Sequence, residues 1–312
     1  MTVKQQHFVP RCYLRNFTSH KEQIFVADKD THKKPYLSNI KNIANRNYFN
    51  DFPVEFLPDE YKKKEESQFI EISLSNAENK FKIALSHIIN RLESIETKEI
   101  SNEVIDKDFK SHFSFFLALQ LARTMSQRQK FQNMMQDISD HTSKLDYFRI
   151  KNREYPEFSI PEPINSNQSI NFNGFKVSAE KDANAQHLFF ISDILDRGAN
   201  SEIAKILTNH IWFFGINFTS IPLWTSDNPI VIKPYLNHGF GINSYGVQVA
   251  YPISPKYLLV MHENSCWSDY KGFDRRSINL TENCVISHNK LQISQCHRQI
   301  YSSEKTFASL IK

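Results

Sequence analysis

The sequence predicts an α+β protein, a long-helix core in the N-terminal half packed against a mainly antiparallel sheet from the C-terminal half. Three observations carry that expectation. Apolar residues recur at helical spacing over two long stretches, about 62–92 and 103–141. After residue 210, short β-branched and aromatic runs follow one another with turn residues between them, which implies an antiparallel or mixed sheet. Between these textures, residues 151–180 hold Pro156, Pro161, Pro163 and an Asn/Ser-rich run. The expected division is therefore 1–150, an irregular connection over 151–180, and 181–312, forming one compact unit.

The opening run, Gln5 to Phe17, is dense in aromatic and basic groups, whereas termini are usually polar and frayed. Pro10 suits a helix start, which places Arg11 and Arg15 on one face and makes Tyr13, Leu14 and Phe17 apolar. His7 precedes that helix, so an anion site for phosphate or carboxylate is one reading. The other is structural: arginines bridging carboxylates and His7 as a buried hydrogen-bonding residue. Residues 23–27 then read as a strand, and Ser38 as the cap of a turn through Ile40 and Ala44. Residues 50–61, with Pro53 and Pro58, read as a loop.

The Lys62–Glu66 charge run reads as the solvated first turns of a helix to about Leu92. Its buried stripe is Phe69, Ile72, Ala77, Phe81, Ala84, Leu85 and Ile88. Glu71 and Glu78 share a face but stand roughly 10 Å apart along the axis, too far to hold one metal ion. They are better matched to arginines of the N-terminal run. The next helix, 103–141, is apolar almost all round from Phe113 to Ala122. Gln120, Arg123 and Gln127 form a polar stripe where that stretch ends, and a charge there must be paired. Arg123 is thus a core ion-pair partner or a ligand-binding arginine, while Arg128 and Lys130 read as solvent-facing.

A hairpin near 170–177 and helices over 182–196 and 200–208 follow, with His187 a packing or surface residue. Strands are expected at 211–216, 223–225, 230–232, 247–251 and 257–261, then a helix over 275–293 and a strand at 299–301. Within the sheet, Thr225-Ser226-Asp227-Asn228-Pro229 is a dense polar knot. It is either a turn held by Asx hydrogen bonds or a strand-end carboxylate serving as orienter, base or metal ligand. A Ser226 nucleophile lacks the G-x-S-x-G elbow.

Composition narrows the functional classes. Hydrophobic residues make up 40% and charged residues 23%, as in ordinary globular proteins. The net charge of +4, from 38 basic and 34 acidic residues, permits nucleic-acid contact without requiring it. Cys12, Cys266, Cys284 and Cys296 form no C-x-x-C pair, which fits a reduced, cytoplasmic chain. No apolar signal segment follows Met1, and the run 113–122 falls short of the roughly 20 residues a bilayer span needs. A soluble protein with no membrane partner is expected.

Several of these motifs fall in a known order. His7-Phe8-Val9-Pro10, Tyr13-Leu14-Arg15-Asn16-Phe17, Arg123-Thr124 and Thr225-Ser226-Asp227-Asn228-Pro229 together resemble the bacterial family called domain of unknown function 4238. Tyr251-Pro252-Ile253-Ser254-Pro255 is similar to that family's sheet segment, and Asn289, Arg298, Ile300 and Tyr301 to its closing stretch. The family often has Gln where this chain has Arg11, which shifts weight to His7 and Arg15. The resemblance implies a bacterial cytosolic protein and a set of site positions, and no reaction.

The leading functional expectation is a nuclease-like hydrolase of phosphodiester or nucleotide substrates. His7 would serve as general acid/base and Asp227 as its orienter or the holder of a divalent metal. Arg11, Arg15, Arg123, Ser226 and Asn228 would bind phosphate. One alternative is a non-catalytic nucleotide or nucleic-acid sensor. In the other, all of these residues are structural, the N-terminal arginines pairing with Glu71, Glu78 and Asp227.

Overall fold

Local chemistry ties the chain's front end to its body. Strand β1 (Gln5–His7) pairs antiparallel with β4 (Asn45–Asn47), setting Gln6 opposite Arg46 and His7 opposite Asn45. A single turn, α1 (Arg11–Leu14), follows Pro10 and tightens into a 3₁₀ turn to Phe17, burying Tyr13, Leu14 and Phe17. Tyr13 stacks on Tyr251 at 4.9 Å, and its hydroxyl sits 2.7 Å from Thr225 Oγ1 and donates to the Pro252 carbonyl at 2.8 Å. Strands β2 (Gln23–Asp28) and β3 (Tyr36–Asn39) come next. Asn39, not Ser38, caps the following turn by accepting the Lys41 N–H, because the turn starts at Ile40 and Asn39 immediately precedes it.

The computed structural model describes residues 2–31, 34–53, 66–95, 103–151, 169–172, 175–235 and 241–305, with residues 66, 138, 139 and 141–182 described by backbone alone. Most of the predicted 50–61 loop and the Lys62–Glu65 charges lie outside them. Helix α2 (Phe69–Glu93) buries Ala77, Phe81, Ala84, Leu85 and Ile88 as its spacing predicts. Its first turn is phased differently: Phe69 and Ile72 are 40% and 57% exposed, and Ile70 and Leu74 are buried instead. Gln68, gripping the Val3 backbone through both N–H and carbonyl, fixes that phase.

The single helix expected over 103–141 is two. Asp106 caps α3 (Lys107–Ala122) by accepting the Phe109 N–H at 2.7 Å, and α4 (Met125–Lys151) begins after a break at Arg123-Thr124. The predicted hairpin is present as β5 (Ser169–Phe172) and β6 (Phe175–Ser178). Helices α5 (Ala179–Arg197) and α6 (Glu202–Asn209) also match their predicted positions.

The later elements are β7 (Ile211–Asn217), β8 (Thr225–Ser226), β9 (Val231–Lys233), β10 (Gln248–Pro252) and β11 (Tyr257–His262). They are followed by β12 (Arg276–Leu280), α7 (Glu282–Gln295) and β13 (Gln299–Ser302). One sheet runs β12-β7-β11-β10-β9 and another β3-β2-β13-β8. Only the β12–β7 pair in these is parallel. The start of the helix predicted over 275–293 is thus a strand; Thr281, which accepts the Cys284 N–H, delays the helix until after β12. Gly215 permits the close approach there, since a Cβ would lie 2.5 Å from the Leu280 side chain.

The fold is α+β, with the long helices in the first half and the sheets largely in the second. One apolar core joins Tyr13, Phe81, Phe113, Trp212 and Tyr251 with Ile24 and Tyr301, so α1, α2, α3 and both larger sheets share it, while α5 and α7 pack through separate clusters. Among the described residues no helix is long and apolar enough to cross a membrane. All four cysteines are free.

Candidate anion-binding site

The break between α3 and α4 sets two buried arginines, Arg123 and Arg128, on either side of it. Arg123 closes α3 with its N–H on the Leu119 carbonyl, and Thr124 Oγ1 accepts the Gln127 N–H to open α4. On one continuous helix Arg123 and Arg128 would point about 140° apart, at 100° per residue. The break re-aims them, and both reach back to the N-terminal segments.

Arg123 is 3% exposed; its Nη1 meets Glu78 at 2.8 Å and its Nη2 donates to the His7 carbonyl. Its Nε and the Oε1 of Gln120 have no partner among the described residues, and both residues line a crevice of about 10 Å³. That is room for about one water molecule. Arg123 is therefore the core ion-pair partner that its position allowed.

Arg128, expected to face solvent, is 8% exposed. Its guanidinium lies 3.6 Å over the Phe49 ring, Nη2 donates to the Phe49 carbonyl at 2.6 Å, and Nε donates to His187 Nδ1 at 3.1 Å. His187 Nε2 in turn donates to the Ala122 carbonyl at 2.8 Å, which fixes the neutral tautomer. Burial and the Arg128 charge hold His187 down at about 3. No carboxylate pairs with Arg128 among the described residues. Burial, and then the nearby Arg46 charge, lower its pKa to about 9. Arg46 is exposed on β4, and α4 has no acidic residue in its first turn. A buried guanidinium without a counter-charge costs several kcal/mol, and Arg46, the charge that acts on it among the described residues, has the same sign.

His7 stands beside this arrangement, half-buried at the end of β1, with Nε2 3.5 Å from Asn45 Nδ2. Burial, against the favourable Ile40 carbonyl, lowers its pKa to about 4, and Arg11 and Arg123 add to the lowering. Glu71 accepts a 2.7 Å hydrogen bond from Asn50, and burial raises its pKa. Neither Glu71 nor Glu78 meets an N-terminal arginine, because Asn50 and Arg123 occupy them.

The other positions read from the sequence lie elsewhere. Arg11 and Arg15 share the carboxylate of Glu22 at the surface. Asp227 accepts three backbone N–H groups, from His297, Arg298 and Gln299, each at 2.8 Å. Burial raises its pKa against the pull of those three donors. Both oxygens are thereby engaged in holding the start of β13, not in orienting His7. Ser226 donates to Gln292 Oε1 at 2.7 Å and accepts the Asn228 N–H, while Asn228 Nδ2 donates to the Gln295 carbonyl. The knot clamps β8 to α7. Among the described residues no three His, Cys, Asp or Glu side chains gather as a metal-holding group.

Arg128 and His187 were illegible as a pair, because their meeting depends on the helix break and on α5 crossing it. The only hint was the polar stripe ending at Gln127. The chain belongs to the family described as a protein of unknown function, DUF4238, whose model matches residues 5–306. Comparison with curated proteins and with solved structures returned no match.

Proposed function

We propose that this protein binds phosphate groups of a nucleotide or nucleic acid at the cationic junction of β4 and α4, with Arg128 and Arg46 as the binding groups. The observation that supports this reading is the buried Arg128 guanidinium, which has hydrogen bonds and an aromatic platform but no carboxylate partner among the described residues. A phosphate oxygen would supply the negative charge, and Arg is suited to it by its planar fork. Binding should weaken with salt, since each neutralised phosphate releases counterions. Titrating a single-stranded oligonucleotide over a salt series tests this. Arg128→Gln and Arg46→Ala should each weaken binding and reduce the log–log salt slope by about one. Unchanged affinity and slope in both variants would refute the assignment.

Hydrolysis of the bound phosphodiester is a second reading, favoured by His7. Its imidazole is neutral at pH 7 and partly open to solvent, so it is available as a base. If it acts so, His7→Ala abolishes turnover with the far-ultraviolet circular dichroism intact, and the wild-type rate rises through about pH 4 and then stays level. A rate independent of His7 leaves the binding function alone.

A further inference from the structure

A cleft of about 340 Å³ lies between α7 and the outer face of the five-stranded sheet, apart from the cationic junction. Its size falls in the range of small-molecule sites. Leu258, Val260, Ile278, Leu280 and Leu291 give it an apolar wall. The polar groups gather unevenly. Lys233, at the end of β9, and His262, at the end of β11, both flank β10, where Gln248 lies opposite each of them in register. On the α7 side stand Asn283, Ser287 and His288.

Lys233 is the only ionised group among the described lining residues, and none of them is acidic. His262 and His288 each carry an Nδ1 that is buried without a hydrogen-bond partner among the described residues. Burial holds both imidazoles down at about 4, so they remain neutral at pH 7. Buried polar atoms are nearly always satisfied by protein, water or ligand. The two Nδ1 atoms are sealed from solvent, but both rings line a ligand-sized space whose one charge among the described residues is positive.

We infer that this cleft binds a small monoanion with an apolar body, a carboxylic acid in chemical class, its carboxylate held between Lys233 Nζ and His262 and its body against the leucine-rich wall. Lys233 provides the charge that selects an anion, and the His262 ring, level with Lys233 across β10, provides a hydrogen bond. A single positive group suits one negative charge and not a polyphosphate, which separates this site from the proposed phosphate site.

Octanoate and octanol, titrated calorimetrically into the full-length protein, test the inference. Lys233 and Ser287 are exposed, so substitution there spares the core. Octanoate should bind one per chain. Lys233→Gln should weaken octanoate at least fivefold and leave octanol unchanged, and Ser287→Trp, which fills the cleft, should abolish both. The His262 imidazole resonance should titrate at higher pH with octanoate bound, because the carboxylate favours its protonated form. No octanoate binding, binding that survives Ser287→Trp, or equal loss of acid and alcohol on Lys233→Gln would each overturn the proposal.

Discussion

Replacing Asp227 by alanine is expected to lower the melting temperature by roughly 10 °C while leaving phosphate affinity of the folded protein unchanged. The carboxylate collects the N–H groups of His297, Arg298 and Gln299 at the entrance to β13. That strand lies between β2 and β8, so its start positions a whole sheet. A buried donor left without an acceptor costs about 1–3 kcal/mol, and three are orphaned together. With some relaxation toward solvent, a total loss of about 3–5 kcal/mol is reasonable. Denaturant unfolding measures it. Wild-type stability in Asp227→Ala would mean that the carboxylate is held for chemistry and not for the turn.

Acidification is expected to destabilise the protein steeply between pH 6.5 and pH 4. His7, His262 and His288 are lowered to about 4 and His187 to about 3, chiefly by burial. In the unfolded chain these groups titrate near 6.5. Between the two values the unfolded state holds protons that the folded state refuses, so stability falls as pH falls. Each such histidine contributes about 1.4 kcal/mol per pH unit over its window. Glu71 and Asp227, with raised pKa values, act in the opposite sense but are fewer. Since total stability is about 5–15 kcal/mol, several buried imidazoles suffice to unfold the chain near pH 4.5. His187→Asn, whose Oδ1 can replace Nδ1 as the acceptor for Arg128, should flatten the slope by about 1.4 kcal/mol per unit. Stability that stays level from pH 6.5 to 5 would contradict the burial of these rings.

The fold class was legible because periodicity is a local property. The apolar spacing of Ala77 to Ile88 and the short runs at 211–217 and 257–262 report the faces they bury. The errors fall where a side chain overrides local pattern. Gln68 sets the phase of α2 through Val3, Thr281 holds off α7 so that β12 can pair with β7, and the Arg123-Thr124 break divides one apparent helix.

The candidate site was half visible for the same reason. His7 and Arg123 could be singled out as dense polar positions near apolar segments, and the structure joins them through the His7 carbonyl. The Tyr13-to-Thr225 link across the core explains why the opening run and the Thr225–Pro229 knot stand out together: they are opposite ends of one structural brace. Arg11 and Arg15 carry as much charge as Arg128, but their charge is met at the surface by Glu22. Residue type alone does not distinguish a satisfied cation from an unsatisfied one; that difference lies in burial and in the identity of the partner.

Thermal unfolding with and without inorganic pyrophosphate, in wild type and in Arg128→Gln, tests the central claim most directly. An anion that binds only the folded state raises its stability in proportion to the logarithm of its concentration over Kd. If Arg128 is the uncompensated cation that receives ligand phosphate, pyrophosphate raises the wild-type melting temperature at constant ionic strength and leaves that of Arg128→Gln unmoved. Equal shifts in the two proteins, or none in either, would contradict it.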